Sequence, residues 1–165
     1  MIFVTVGTHE QAFDRLLSCV DELRSREVIQ EKVIMQTGVS KYIPKHCQWS
    51  AMLPYEKMVE YVNQARIVIT HGGPSSFMMA LQAGKIPIVV PRQKQYGEHV
   101  NDHQLLFCRE VYFRHKNILL VQDVAQLESI LMQYDSCANY DNAKVKGNNE
   151  QFCDELQNII DSLYG

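Results

Sequence analysis

Short apolar runs alternate with amphipathic segments along most of this chain, and the alternation is its main structural signal. The apolar runs are rich in β-branched residues, which is typical of strands buried on both faces of a sheet. Strands are therefore predicted over 2–7, 32–38, 66–70, 86–91 and 118–121. The pattern over 42–53 is ambiguous and fits a loop that contains a short strand.

The segments between these runs repeat their apolar residues at the spacing that gives a helix one apolar face. Helices are predicted over 13–26, 55–65, 75–84, 101–111, 124–134 and 150–165, and a polar loop over 139–149. Pro54 suits the first turn of a helix, and Gly84 suits a helix end. Asn101 or Asp102 is predicted to cap the helix that follows it.

Strands that alternate with helices predict an α/β fold, namely a Rossmann-like parallel sheet with helices on both faces. The chain has 165 residues and shows no internal repeat, linker or low-complexity segment that would divide it. A single domain over 1–165 is therefore expected.

Composition places the chain among ordinary globular proteins, since 46% of its residues are apolar and 21% are charged. The formal net charge of -3 does not favour a nucleic-acid partner. No apolar run approaches the ~20 residues that span a bilayer, and the first residues lack the basic region of a signal peptide. Five cysteines without a CxxC motif predict free thiols in a reducing cytoplasm.

Candidate chemistry lies in three connections that leave predicted strands, over 6–11, 70–76 and 91–104. In open parallel sheets, ligands bind beyond the carboxyl ends of the strands, near the point where the strand order reverses. The connection 6–11 is the weakest signal of the three, because a single glycine after a first strand is a common turn.

The connection 70–76 combines several features of an anion site. Its two glycines are expected to let the backbone approach a ligand and to take positive φ. Its serines stand at a predicted helix start, where free N–H groups and the helix dipole attract anions. Pro74 suits the first helical position, and the histidine adds a neutral or cationic donor. A phosphate or diphosphate cradle is predicted from His71, Gly72, Gly73, Ser75 and Ser76; a tight turn with a serine cap is the alternative.

The connection 91–104 is more polar than a simple loop needs to be. Its hydrogen-bonding side chains are Glu98, His99, Asn101, Asp102, His103 and Gln104. Sugar hydroxyls and nucleobases require such donors and acceptors, although a solvated helix start would look similar. The i, i+4 pair of histidines could hold a metal, but no third ligand is suggested nearby and no metal is predicted. Arg92 and Lys94 are either phosphate ligands or solvated charges.

Taken in order, the stretches HGGPSS, ALQAGKIPIVVP and GEHVNDHQ resemble the donor-binding C-terminal domain of MurG-like glycosyltransferases of family 28. With MIFVTVGTHEQAFDRLL at the start, the chain looks like the small catalytic subunit of two-subunit capsule and exopolysaccharide glycosyltransferases. The resemblance covers roughly residues 1–125. It implies a domain equivalent to the C-terminal half of a GT-B glycosyltransferase.

The resemblance also implies a reaction: inverting transfer of a hexose from a UDP-sugar to a lipid-diphosphate-linked saccharide, without metal, cofactor or covalent intermediate. It places Gly7 and Thr8 beside the diphosphate, which the residues of 70–76 would hold. It implies that the donor sugar and its surroundings face Glu98, His99, Asn101, Asp102 and Gln104. Many relatives carry an acidic residue for the ribose where this chain has Met79, so ribose recognition is left open and Met79 is expected to pack in the core.

A membrane-anchored, Rossmann-like partner subunit is expected to bind the acceptor, which would keep this cytoplasmic chain at the membrane periphery. The general base that the acceptor needs is assigned either to His9 and Glu10 or to the partner. The helix over 150–165 is expected to dock on the partner or on the chain's own sheet. The functional alternatives are a non-catalytic UDP-sugar-binding or enhancer subunit and a free-standing nucleotide-sugar enzyme such as an epimerase.

Overall fold

A computed structural model describes residues 1–138 of the chain, and these residues fold around one parallel sheet. The strands are β1 Ile2–Thr5, β2 Val33–Gln36, β3 Gln48–Ser50, β4 Ile67–His71, β5 Ile88–Val90 and β6 Leu119–Leu120. The helices are α1 Asp14–Ser25, α2 Tyr55–Gln64, α3 Pro74–Gln82, α4 His103–His115, α5 Leu127–Met132 and α6 Tyr134–Ala138. The strand order is β3-β2-β1-β4-β5-β6, with every neighbouring pair parallel.

The strands β1, β2, β4 and β5 are buried on both faces: their successive side chains point to opposite sides of the sheet, and helices cover both sides. In β1, Ile2 and Val4 belong to a core cluster with residues of α1 and α5. Phe3, between them, belongs to the cluster on the other face, which includes residues of α2 and α3. A third cluster packs α4 against β5. The predicted α/β fold with helices on both faces of a parallel sheet is confirmed.

Several predicted boundaries differ from the observed ones. The ambiguous region 42–53 contains β3, which has only three residues, all of them exposed. The helix predicted over 101–111 begins two residues later and continues to His115. The helix predicted over 124–134 is divided into a 3-10 turn, α5 and the start of α6. The predicted loop 139–149 and helix 150–165 lie outside the described residues.

The structure of residues 1–138 also confirms two smaller predictions, one on the cysteines and one on Met79. The four described cysteines are free thiols, as predicted; they are Cys19, Cys47, Cys108 and Cys137. Met79 is half-buried and packs against the cluster shared by α2 and α3, which confirms its expected place in the core. Within residues 1–138, no helix is long and apolar enough to cross a membrane.

Candidate functional site

The strand order reverses between β1 and β4, so their connections leave in opposite directions and open a crevice at the carboxyl edge of the sheet. Three connections surround this crevice: 6–13 after β1, 72–73 after β4 and 91–102 after β5. These connections contain the site residues predicted from the sequence, except for His71 at the end of β4 and those in the first turns of α3 and α4. The fold thus brings the three sequence-predicted regions to one edge.

His71 ends β4 at the centre of this edge, and its ring lies between two glycines. A Cβ atom at Gly7 would fall 2.5 Å from His71 Cε1, and one at Gly73 would overlap His71 Nε2. Gly7 has a φ of +72°, whereas Gly73 has a φ of -75°. The prediction that Gly72 and Gly73 take positive φ is therefore wrong. They are glycines because of close packing: a Cβ at Gly72 would meet Cys108 Sγ at 2.9 Å.

Burial makes His71 a neutral group. Its side chain is only 7% exposed, and desolvation, aided by the positive charge of Arg92, lowers its pKa to about 4. Its buried Nδ1 atom has no hydrogen-bond partner among the described residues. At neutral pH the ring is therefore an uncharged donor or acceptor, which excludes the cationic alternative left open by the sequence.

The first turn of α3 follows immediately after the glycines. Gly73 is the N-cap residue and Pro74 occupies the first helical position, as predicted. No side chain caps this helix, so a serine cap does not account for the turn. Ser75 is exposed and Ser76 is half-buried, and both stand in the first turn of the helix. The Ser76 N–H already donates to the Gly73 carbonyl at 3.1 Å, so the Ser75 N–H and the two hydroxyls are the donors that this turn offers. The arrangement leaves an uncapped helix N-terminus beside the crevice, which suits an anion.

Several polar side chains of the connection 91–102 and of the start of α4 accept hydrogen bonds from backbone amides of this same region. Asp102 Oδ1 accepts from the Lys94 amide at 2.9 Å, and Asn101 Oδ1 accepts from the His103 amide at 3.1 Å. Gln104 Oε1 accepts from the Arg92 amide at 3.2 Å. Of the two residues predicted to cap α4, Asp102 is the N-cap residue, but its side chain makes no capping hydrogen bond; the Asn101 side chain is the one that accepts from the first helical amide, that of His103.

Arg92 and Glu98 are buried inside the loops, where the sequence predicted solvated or ligand-facing groups. Both side chains of the bidentate pair Arg15–Glu98 are largely shielded, with Nε–Oε1 and Nη2–Oε2 distances of 2.8 and 2.9 Å. Glu98 Oε2 also accepts from the Gln93 amide at 3.1 Å. This placement assigns Glu98 to the structure of the loop rather than to a surface that a sugar would touch. Arg92 is 1% exposed and bonds to backbone carbonyls, so neither sequence-based alternative for it is right.

Two histidines meet across the crevice. The rings of His9 and His99 are 4.6 Å apart, centroid to centroid. His9 Nδ1 accepts from the Gln11 amide at 3.1 Å, so the neutral ring carries its proton on Nε2 and presents a donor. Desolvation and the positive charge of Arg92 lower the pKa of His9. The neighbouring Glu10 is exposed, as is Thr8.

Unpartnered buried polar atoms concentrate at this edge. Among the described residues, five buried side-chain nitrogen or oxygen atoms have no hydrogen-bond partner. Those at the crevice are Gln11 Oε1, Arg15 Nη1, His71 Nδ1 and Arg92 Nε. Such atoms are uncommon in folded proteins and call for an explanation, such as water or a ligand. Their clustering singles out the crevice within residues 1–138. No three His, Cys, Asp or Glu side chains in this range are grouped to hold a metal ion.

Sequence comparisons connect this geometry to known proteins. The chain matches the family model described as the glycosyltransferase family 28 C-terminal domain over residues 1–161. It is similar to the UDP-N-acetylglucosamine transferase subunit ALG13 of Homo sapiens, at 29% identity over 120 residues. The alignment covers 67% of this chain but only 10% of the human protein.

The fold is similar to a solved structure described as the glycotransferase of kitacinnamycin, with a TM-score of 0.56 and 14% sequence identity. The match covers 87% of this chain and 36% of that one. At this level of identity the likeness concerns the fold alone. Together with the strand order, it matches the architecture expected for the C-terminal half of a GT-B enzyme.

Proposed function

The chain belongs to the family of glycosyltransferase family 28 C-terminal domains, and we propose on this basis that it binds a UDP-sugar, with the diphosphate at the N-terminus of α3. The observation that carries the proposal is the uncapped first turn of α3 at the switch point of the sheet. Backbone N–H groups and the positive end of the helix dipole favour a diphosphate there. The hydroxyls of Ser75 and Ser76 supply further donors at the same turn.

The reaction proposed is inverting transfer of a hexose. An acceptor oxygen bonds to the anomeric carbon while the bond from that carbon to UDP breaks, and the electron pair moves to the diphosphate. Donors already aimed at the diphosphate stabilise the charge that develops on the leaving group. His9 presents a donor, so of the two candidates in this chain the exposed Glu10 is better suited to take the acceptor proton. The partner is the other possible source of the base.

The donor sugar is proposed to lie against the loop 91–102 and the start of α4. Asn101 and Gln104 each use their carbonyl oxygen to order the loop, which leaves their amide N–H groups for a ligand. His99 Nδ1 likewise accepts from the Asn101 amide, so its Nε2–H is the donor that remains. A loop whose side chains are already fixed costs less ordering entropy on binding.

We propose that the acceptor, a lipid-diphosphate-linked saccharide of polysaccharide assembly, is bound by a membrane-anchored partner subunit facing the crevice. The family name supports a second half, because it describes a C-terminal domain; the human relative is named as a subunit. Exposed apolar side chains flank the crevice and suit such a contact. They are Val39, Met52, Tyr55, Tyr96 and Val100. The chain is then held at the membrane periphery through its partner.

Calorimetry with UDP and UMP tests the diphosphate site. A hydrogen bond to a charged group contributes roughly 1.5–3 kcal/mol, so Ser76→Ala should weaken UDP binding by about ten- to a hundred-fold. UMP lacks the second phosphate, so its affinity should fall less, and the preference for UDP over UMP should shrink. Ser25→Ala, at the exposed far end of α1, is the control. An unchanged preference in Ser76→Ala would argue against a diphosphate at α3.

Transfer itself is tested by co-expressing the chain with its candidate membrane subunit. Membranes are then assayed with UDP-glucose, UDP-galactose and UDP-N-acetylglucosamine. Glu10→Gln separates the two origins of the base, because full turnover in this variant would assign the base to the partner. Tight UDP-sugar binding without any turnover in the assembled pair would support the non-catalytic alternative.

A further inference from the structure

We propose that Arg92 is a positioning residue, whose buried guanidinium holds the loop 6–12 against the loop 91–102 and thereby places His9 and Glu10 at the crevice. The proposal rests on the proposed function, since it concerns the loop that contains the candidate base. It is carried by the hydrogen bonds of one side chain, described next.

Arg92 follows β5, yet it reaches the loop that follows β1, although β4 lies between these strands. Arg92 Nη1 donates to the carbonyl oxygens of Gln11 at 2.6 Å and Ala12 at 3.2 Å. Arg92 Nη2 donates to the Val6 carbonyl at 2.9 Å. The same side chain therefore bonds to both ends of the loop 6–12. The residues between these ends include Gly7, Thr8, His9 and Glu10.

The second loop is fixed by the same group. Arg92 Nη1 also donates to the Glu98 carbonyl at 3.2 Å, and the bidentate pair of Glu98 with Arg15 secures that loop to α1. The guanidinium of Arg92 lies 4.9 Å from the centre of the Phe13 ring, which packs against it. Both loops are thus joined through a buried cation at one end of the crevice.

Only a planar fork can make this set of bonds. Two different nitrogens, Nη1 and Nη2, donate to carbonyls from two loops, whereas lysine has a single nitrogen to offer them. Burial lowers the pKa of Arg92 to about 10, and the charge of Glu98 opposes this effect. The group is therefore still a cation at neutral pH, and its charge also lies close enough to lower the pKa values of His9 and His71.

Amide hydrogen exchange on the full chain, without any ligand, tests the contact between the loops. In Arg92→Gln, peptides covering 7–12 should exchange about ten- to a hundred-fold faster, since several hydrogen bonds from a charged group are lost. Arg92→Lys keeps the charge and should give a smaller increase in the same peptides. Arg66→Gln is the matched control: Arg66 also bonds to several groups, Glu31 and Asp135, but at the opposite edge of the sheet. It should leave 7–12 unchanged.

Kinetics of the assembled enzyme then test the positioning role. If Arg92 acts through the loop that contains Glu10, Arg92→Gln should lower kcat about tenfold or more while changing UDP affinity less than Ser76→Ala does. Arg92→Lys should recover part of kcat. The proposal is overturned if 7–12 exchanges normally in both Arg92 variants, or if the loop loosens while kcat stays at the wild-type value. A wild-type chain that binds no UDP would refute the proposed function instead, and the exchange result would still decide whether Arg92 holds the loop.

Discussion

Gly7→Ala is the sharpest test of how His71 is held at the crevice. The substitution adds one methyl group at a residue whose φ is +72°, and that methyl would meet His71 Cε1 at 2.5 Å and Nε2 at 2.7 Å. The histidine ring cannot move aside easily, because it is 7% exposed and Gly73 contacts it on the other side. Two separate costs are therefore expected at this one position.

The backbone cost of left-handed φ for alanine is about 1–2 kcal/mol. Forcing an extra methyl into a packed site costs typically about 1–3 kcal/mol. We therefore expect Gly7→Ala to lower the free energy of unfolding by roughly 2–5 kcal/mol. Gly84→Ala is the matched control, because Gly84 has a φ of +70° but nothing within 4 Å of its added Cβ. Gly84→Ala should lower the free energy of unfolding by the backbone cost alone.

Urea denaturation gives the free energies, provided that the m-values of the variants agree. The decisive comparison repeats Gly7→Ala in a His71→Ala background, where the ring is absent. There the substitution should cost no more than Gly84→Ala does, and the difference between backgrounds is the coupling energy of the pair. An equal cost of Gly7→Ala with and without the histidine ring would show that the ring is not packed against Gly7.

Three further predictions concern protonation, thiol reactivity and metal dependence. Burial lowers the pKa of His71 from 6.5 to about 4, so the unfolded chain takes up the proton first as pH falls. Stability should then decrease by about 1.4 kcal/mol per pH unit within this window, and His71→Gln should remove that slope in urea titrations. Burial and then Asp21 raise the pKa of the Cys47 thiol to about 12; Asp21→Asn should therefore speed alkylation of Cys47 but not of Cys19, whose raised pKa has no contribution from Asp21. Transfer should continue in EDTA, because backbone N–H groups are proposed to hold the diphosphate; loss of turnover that magnesium or manganese restores would contradict this.

The fold was accessible from sequence because its strands are continuous apolar runs. Such runs are expected where a parallel sheet is covered on both faces, and the residues of β4 are all buried. β3 gave only an ambiguous signal because its three residues are all exposed, so no apolar pattern marks it. The division of the predicted helix 124–134 into shorter elements could not be predicted from the sequence either. Asp123 caps a 3-10 turn there by accepting from the Ala125 amide. Such a side-chain hydrogen bond to the backbone competes with a regular helix, and hydrophobic periodicity does not reveal it.

The candidate site was predictable in position but less so in detail. The turn after β4 and the polar loop after β5 can be recognised from their composition. The role of Arg92 cannot, because three of the carbonyls that it bonds lie 80 or more residues away along the sequence. Arg15 gave no sequence signal, since an arginine at an ordinary helix position looks solvated until its partner is known. A basic and an acidic residue in the same connection, here Arg92 and Glu98 after β5, are the one available hint. The positive φ expected at Gly72 and Gly73 was wrong, because the packing of Gly73 against His71 and of Gly72 against Cys108 cannot be read from spacing.

The central position of β1 has a consequence for the growing polypeptide. β1 is synthesised before the other strands of this sheet, and it pairs with β2 on one edge and with β4 on the other. Its second edge therefore stays unpaired on the ribosome until residues 67–71 have emerged. A free apolar edge of this kind invites pairing with other nascent chains. Translation pauses between β2 and β4 should therefore favour aggregation more than pauses after β5, where the central strands are already covered.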